Sequence, residues 1–297
     1  MLNVLFDGNN FAIRILTSIP GYNSQFQSSH QANLFIHSFF VGFLSTVNKI
    51  KQKYPNIDNI VFVWDSRINN RKKLYPEYKA NRKPKTLEEE RDKANHYTLL
   101  DKLKDSLKTL GDWANISLEG YEADDLIAYF VKESSIDNQF IVVSSDNDMY
   151  QLLGDRVVQY LPHRKEFYSI LDFKKEFGII PEKYVYVKAL MGDKGDNIKG
   201  IEGTGVKRAV KLIQQNQCWI HWLNTYGKEV DLEMNVELIR IPFESDKINL
   251  IIPQSYFEKR AWVELFQKFG LSKLNLSDFK QLFILLANAT KENNKLV

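Results

Sequence analysis

Three short β-forming runs in this chain each lead straight into an aspartate: Leu2 to Phe6 into Asp7, Ile60 to Trp64 into Asp65, and Phe140 to Ser145 into Asp146. A fourth run, Val157 to Leu161, ends without one. Between the runs lie apolar stripes at helical spacing: Leu34, Phe35, Phe39, Phe43, Val47 and Ile50; Leu99, Leu100, Leu103, Leu107 and Leu110; and Leu126, Ile127, Phe130 and Val131. β runs alternating with helical stripes are the pattern of βαβ units, so the expected fold is α/β, a mostly parallel central sheet flanked by helices. Ligands bind such sheets outside the carboxyl ends of the strands, where the three aspartates fall.

One aspartate after a strand means little, because Asp often caps a helix or starts a turn. More acids follow, however. Asp146 and Asp148 are two apart and would share a side if that segment is extended; Glu122, Asp124 and Asp125 are expected to open the Leu126 helix; Asp193 and Asp196 sit in the glycine-rich run Gly192 to Ile198. Like charges gathered in one crevice cannot all stay ionised without a compensating cation. Mg²⁺ fits, since it takes oxygen ligands and keeps several waters. Two such ions about 3.5–4 Å apart clamp an in-line displacement at phosphorus. No histidine lies in an acidic motif, so water activated by metal, rather than by histidine, is the expected nucleophile.

The net charge of +3 makes no case for a polyanionic partner by itself, but the signs are separated along the chain. Arg67, Arg71, Lys72, Lys73, Lys79, Arg82, Lys83 and Lys85 face one acid, Glu77, with Tyr75 and Tyr78 among them. Cations interleaved with aromatic planes suit a single strand, phosphates held by charge and bases by stacking. A second basic element is Lys199-Gly200-Ile201-Glu202-Gly203-Thr204-Gly205-Val206-Lys207-Arg208. A glycine-flanked turn opening a helix offers backbone N–H groups to phosphate, and Lys207 and Arg208 add charge there.

The helix around Leu34 to Ile50 is interrupted by His37, Ser38, Ser45, Thr46 and Asn48 and reads as buried rather than membrane-spanning. Met1 to Asp7 lacks a basic leader segment, so no signal peptide is expected. Cys218, the sole cysteine, has no disulfide partner within the chain, which points to a reducing cytoplasm. A boundary near 163 to 167 separates a core, 1–165, from a helical region, 166–297. There Trp219, Trp222, Phe266, Phe269 and Phe283 read as core, and Thr290 to Val297 as a fraying end.

With these motifs assembled, the chain resembles the 5′-nuclease superfamily of flap endonucleases and 5′ to 3′ exonucleases, with a PIN-like or resolvase-like core. It looks closest to the stand-alone phage flap endonucleases and phage ribonuclease H. The resemblance covers about residues 1 to 215, from Phe6-Asp7-Gly8-Asn9-Asn10 through Tyr75 to Arg82, Tyr121 to Asp125 and Ser144 to Asp148, to Gly192 to Gly205. It implies one metal site fed by Asp7, Asp65, Glu122 and Asp124, and a second fed by Asp146, Asp148, Asp193 and Asp196. Asp124 and Asp146 would lie between the ions and Asp125 would act through water. It further implies Mg²⁺, with Mn²⁺ as a substitute, and Lys79 and Arg82 as catalytic residues reaching the scissile phosphate from the base of a helical arch over 67–110. Arg71 and Tyr78 would contact the strand, Tyr78 by stacking. A helix-three-turn-helix at about 185–215 would bind duplex through Lys199, Gly203, Gly205, Lys207 and Arg208, with K⁺ held at the 200–205 turn. Thr204 departs from the bulky apolar residue usual in that turn.

The implied partner is branched or 5′-ended DNA, such as a flap, a nick or an RNA–DNA primer end, bound by a monomer in a bacterial or phage-infected cytoplasm. No polymerase domain and no sliding-clamp peptide is expected, so recruitment by replication proteins is not readable. Two other readings stand beside this one: a PIN-type ribonuclease, which would lack the 200–205 hairpin, and a non-catalytic binder of branched DNA.

Overall fold

The computed structural model describes residues 1–22, 28–215, 219–226, 230–271 and 277. Its centre is a five-stranded sheet in the order β2-β1-β3-β4-β5. Strands β1 (Leu2–Asp7), β2 (Asn59–Val63), β3 (Gln139–Val143) and β4 (Val157–Leu161) are parallel. Their runs of Val, Ile, Leu and Phe are buried, as expected of parallel strands covered on both faces. Register fixes the site. Asp7 pairs with Val63 and Phe6 with Val143, so Asp65 and Asp146 leave the sheet within a few residues of Asp7 at the same edge.

The boundary expected at 165 falls inside the sheet. Strand β5 (Glu166–Tyr168) turns back antiparallel onto β4, which carries the sheet to Tyr168. Three residues are too few to show an alternating pattern in sequence.

One face of the sheet is covered by α1 (Gly8–Ser18), α2 (Ser29–Lys53) and, after the short α3 (Arg71–Leu74), by α4 (Leu87–Lys108). A capping box starts α2: Ser28 Oγ accepts from the Gln31 N–H and the Gln31 side chain accepts from the Ser28 N–H. Of its predicted stripe, Phe35, Phe39, Phe43, Val47 and Ile50 are buried in the sheet-face core, while Leu34 is exposed. Among the described residues no helix is long and apolar enough to cross a membrane. The opposite face is covered by α5 (Ala123–Glu133).

The stretch expected as an arch divides in two. Leu99, Leu103 and Leu107 of α4 belong to the core, so that half is part of the body, and the basic segment before it borders the crevice.

A second core gathers α6 (Ile170–Phe177), α7 (Tyr184–Met191), α8 (Val206–Gln214) and α9 (Trp219–Tyr226) around Phe173, Phe177, Tyr184, Leu190, Ile213 and Trp222. A two-stranded ribbon, β6 (Gly192–Asp193) with β7 (Ile198–Lys199), joins α7 towards α8. The ribbon requires two glycines: a Cβ on Gly192 would lie 2.3 Å from the Gly200 nitrogen, and one on Gly200 2.1 Å from the Met191 carbonyl carbon. Helix α10 (Leu232–Ile239) packs against α7, and α11 (Lys259–Phe269) joins the sheet-face core, with Phe266 and Phe269 partly buried there. The side chain of Trp219, Cys218, Phe283 and the 290–297 end lie outside the described residues.

Candidate active site

Eight of the nine singled-out carboxylates line one crevice of about 340 Å³: Asp7, Asp65, Glu122, Asp124, Asp146, Asp148, Asp193 and Asp196. Local hydrogen bonds aim them. Asp7 caps α1, accepting from the Asn10 N–H at 3.0 Å and from Ser144 Oγ at 2.9 Å. Asp65 accepts from the Ala123 N–H at 2.8 Å, which ties the end of β2 to the start of α5. Gln159 donates to the Ser144 and Asp146 carbonyls, fixing the loop after β3, and Asp193 accepts from the Asp196 N–H. Asn9 and Asn10 brace the same edge by accepting from the N–H groups of Asp65 and Ser145. Their role was unread in Asp7-Gly8-Asn9-Asn10.

The electrostatics divide the acids. Burial, reinforced by Asp65 and Asp146, pushes the Asp7 carboxyl up to about 8. Burial and Glu122 raise Asp65; burial, Asp125 and Glu122 raise Asp124. Burial lifts Asp148 to about 6 despite Lys188. In Glu122 burial is outweighed by Lys79 and Arg71, which draw it down to about 2, and in Asp193 it is outweighed by Lys188. The raised group is thus a set of crowded carboxylates short of positive charge, and a divalent ion with oxygen ligands fits that deficit.

Lys79 and Arg82 line the crevice. Lys79 donates to Glu122 and lies 3.8 Å from Asp196; Arg82 donates to Asp196 at 2.6 Å and to the Gly195 carbonyl at 2.8 Å. Beside them a second pocket of about 230 Å³ shares Asp65, Lys79, Arg82 and Glu122 and adds Arg67, Lys72, Lys93, Tyr97 and Lys104. The last three were unread because they sit on α4 among core leucines. Lys188 was unread too: from the buried wall of α7 it donates to Asp148 and, at 2.7 Å, to Asp193. Its signal was a single lysine in the otherwise apolar run Tyr184-Val185-Tyr186-Val187-Lys188-Ala189-Leu190-Met191.

Three expected site residues have other work. Arg71, expected on the strand, is 2% exposed. Its guanidinium grips Asp125 with bonds of 2.6 and 2.7 Å and reaches Glu122 at 3.3 Å. Asp125, expected to serve a metal through water, is fully buried and accepts from Arg71 and from the N–H groups of Glu122 and Phe243. Although the Glu122, Asp124 and Asp125 carboxylates lie within 4.8 Å of one another, Asp125 is neutralised from the protein side. Tyr78, expected to stack a base, is 2% exposed, and its hydroxyl donates to Glu122 and Asp196, each at 2.8 Å. The basic composition of 67–85 hid the fact that two of its members point inward.

A groove of about 1270 Å³ leads from Asn10, Ser145 and Asp146 along the β6–β7 ribbon to Lys199 and the 200–205 turn. Lys199, Gly203, Gly205, Lys207 and Arg208 are all exposed, the first three line that groove, and Gly205 caps α8.

Residues 3–178 match the family model described as the 5′-3′ exonuclease, N-terminal resolvase-like domain. The chain belongs to the 5′-3′ exonuclease family. Among curated relatives, the 5′-3′ exonuclease of Buchnera aphidicola is 27% identical over 92% of this chain and 86% of its own length. The flap endonuclease of Escherichia phage T5 is 30% identical over 68% of this chain and 70% of its own. Among solved structures, a phage T5 D15 flap endonuclease complex with DNA and metal ions superposes with a TM-score of 0.64 at 21% identity, covering 92% of this chain and 100% of that one. Members of the 5′-3′ exonuclease family are nucleases, enzymes that hydrolyse phosphodiester bonds.

In this chain the turn that departs from the family pattern still closes. The Thr204 N–H donates to the Ile201 carbonyl at 3.0 Å and its side chain is buried, with Oγ1 unpartnered.

Proposed function

We propose that this chain is a Mg²⁺-dependent, structure-specific 5′-nuclease acting by a two-metal mechanism, with Mn²⁺ as a substitute, that leaves 5′-phosphate and 3′-hydroxyl ends. The observation that carries the reading is the joining of eight carboxylates to Lys79 and Arg82 in one crevice that adjoins a basic pocket on one side and the groove along the 200–205 turn on the other. Asp7, Asp65, Glu122 and Asp124 would hold one ion, and Asp146, Asp148, Asp193 and Asp196 the other. Bound there, the ions would activate water and neutralise charge developing on the phosphate oxygens.

The chain's own residues supply the rest. Lys79 and Arg82 hold the scissile phosphate on the crevice wall, so part of the binding energy goes to orientation at the reacting centre. Arg67, Lys72, Lys93 and Lys104 carry the 5′ strand beyond it by charge, and Tyr97 offers an exposed ring. Lys199, Lys207, Arg208 and the backbone at Gly203 and Gly205 take the duplex without reading bases. The carbonyl-rich 200–205 turn is a seat for K⁺. The substrate is then branched or 5′-ended DNA, a flap, nick or RNA–DNA primer end, met by a monomer in a bacterial or phage-infected cytoplasm.

The hairpin argues against a PIN-type ribonuclease, and the full acidic set against a non-catalytic binder. A labelled 5′ flap, incubated with and without Mg²⁺, tests the reading. Cleavage near the junction only with the metal is expected, and Asp146→Asn should keep flap binding and lose cleavage. Near-normal turnover of that variant would overturn the two-metal assignment.

A further inference from the structure

Helix α10 makes hydrogen bonds to α7 beside Lys188, to the β6–β7 ribbon, to Gln151 and to Arg71. Asn235, on its inner face, is 3% exposed, an uncommon place for a carboxamide. A buried polar side chain needs partners, and Asn235 has two of consequence: its Nδ2 donates to the Ala189 carbonyl at 3.0 Å and to the Lys199 carbonyl at 2.8 Å. Ala189 lies in the last turn of α7, where carbonyls lack intrahelical partners, and follows Lys188, whose ammonium bridges Asp148 and Asp193. Lys199 ends the ribbon that leads into the basic turn.

The far end of α10 continues the chain of contacts. The Leu238 carbonyl accepts from Arg71 Nε at 2.7 Å, and the Ile239 carbonyl accepts from Gln151, three residues after Asp148. Just beyond, the Phe243 N–H donates to Asp125 at 2.9 Å, on the carboxylate that Arg71 grips. One short helix therefore holds the ribbon exit at its middle and the Arg71–Asp125 pair, which adjoins Glu122 and Asp124, at its end.

We propose that Asn235 is a positioning residue that couples duplex on the hairpin to the alignment of the carboxylates, so that cleavage is fast only when the Lys199 to Arg208 element is occupied. A displacement of Lys199 moves α10 through Asn235, and α10 moves Arg71 and Asp125 through Leu238 and Phe243. Packing alone would be served by leucine at 235; the carboxamide adds the two donors that bind α10 to α7 and the ribbon as one body. The proposal rests on the functional reading above, in which the hairpin takes duplex and the crevice cuts.

The test compares initial rates on a 5′ flap and on the same unpaired strand at saturating Mg²⁺, for wild type and Asn235→Ala, with duplex affinity measured in EDTA. The expected result is a fall of about tenfold in the flap-to-strand rate ratio, with the unpaired-strand rate and duplex affinity within about twofold of wild type. A ratio left at the wild-type value, or both rates falling together, overturns the coupling. A wild-type enzyme with no preference for the flap overturns the functional reading, and the coupling with it. Should Asn235→Ala fail to fold, hydrogen exchange on wild type decides: uncleaved flap in EDTA should slow exchange at the Phe243 amide, and unchanged exchange there overturns the proposal.

Discussion

Lys188 Nζ lies 2.7 Å from Asp193 Oδ2 and also donates to Asp148, so an ammonium from α7 joins two carboxylates brought from segments far apart in sequence. It supplies charge where a divalent ion would otherwise be the sole counterion. Removing one partner of a buried pair leaves the others uncompensated, so Lys188→Met should cost about 3 kcal/mol in the metal-free protein. Mg²⁺ should recover most of that loss by replacing the missing charge. Urea unfolding with and without Mg²⁺ measures both; a loss that Mg²⁺ leaves untouched would place Lys188 outside the metal balance.

Asp124 and Asp125 are adjacent in sequence but opposite in role. Asp125 is locked to Arg71, so Asp125→Asn should lower stability by about 3 kcal/mol, since Arg71 keeps a buried charge with a weakened partner. Its Mg²⁺ affinity should change little once the protein is folded. Asp124→Asn should do the reverse, relieving crowding in the metal-free state while weakening metal binding about tenfold or more. Isothermal titration with Mg²⁺ beside thermal unfolding separates the two patterns, and matching losses of metal affinity would return Asp125 to the ligand set.

The raised Asp7 carboxyl sets a pH dependence. Its folded value near 8 stands above the ordinary 3.8, so between those values the folded metal-free protein binds a proton that the unfolded chain has lost. Stability from this group is complete below 3.8 and is lost as pH rises towards 8; Asp148, lifted to about 6, acts in the same direction. Metal-free protein should therefore melt lower at pH 8 than at pH 6, and Mg²⁺ should reduce that slope. Mg²⁺ binding at pH 6 should release protons, visible as a dependence of the titration heat on buffer ionisation enthalpy.

The three strand ends were legible because β runs alternate with helical stripes, and the parallel sheet then needs only its register to bring Asp7, Asp65 and Asp146 level. Charge composition was a weaker guide. It marked Arg71 and Tyr78 as surface because their neighbours are basic, while burial depends on the Asp125 and Glu122 partners that lie more than forty residues away. Lys188, a single lysine on an apolar helix, and Asn235, one of three polar residues of α10, were illegible for the same reason: the partners of each come together only in the fold.

The hairpin cations and Arg71 should separate in salt dependence. Lys207 and Arg208 are exposed at the start of α8, where each can neutralise one phosphate and release its counterion. Lys207→Ala and Arg208→Ala should each weaken duplex binding at low salt and reduce the slope of log affinity against log salt by about 0.9. Arg71→Lys keeps its charge away from solvent and should leave that slope unchanged, while destabilising the fold through the lost fork with Asp125. Fluorescence anisotropy across a salt series in EDTA gives all three slopes. A slope that falls for Arg71→Lys as it does for the hairpin variants would show that Arg71 reaches phosphate after all, and that the buried ion pair opens when DNA binds.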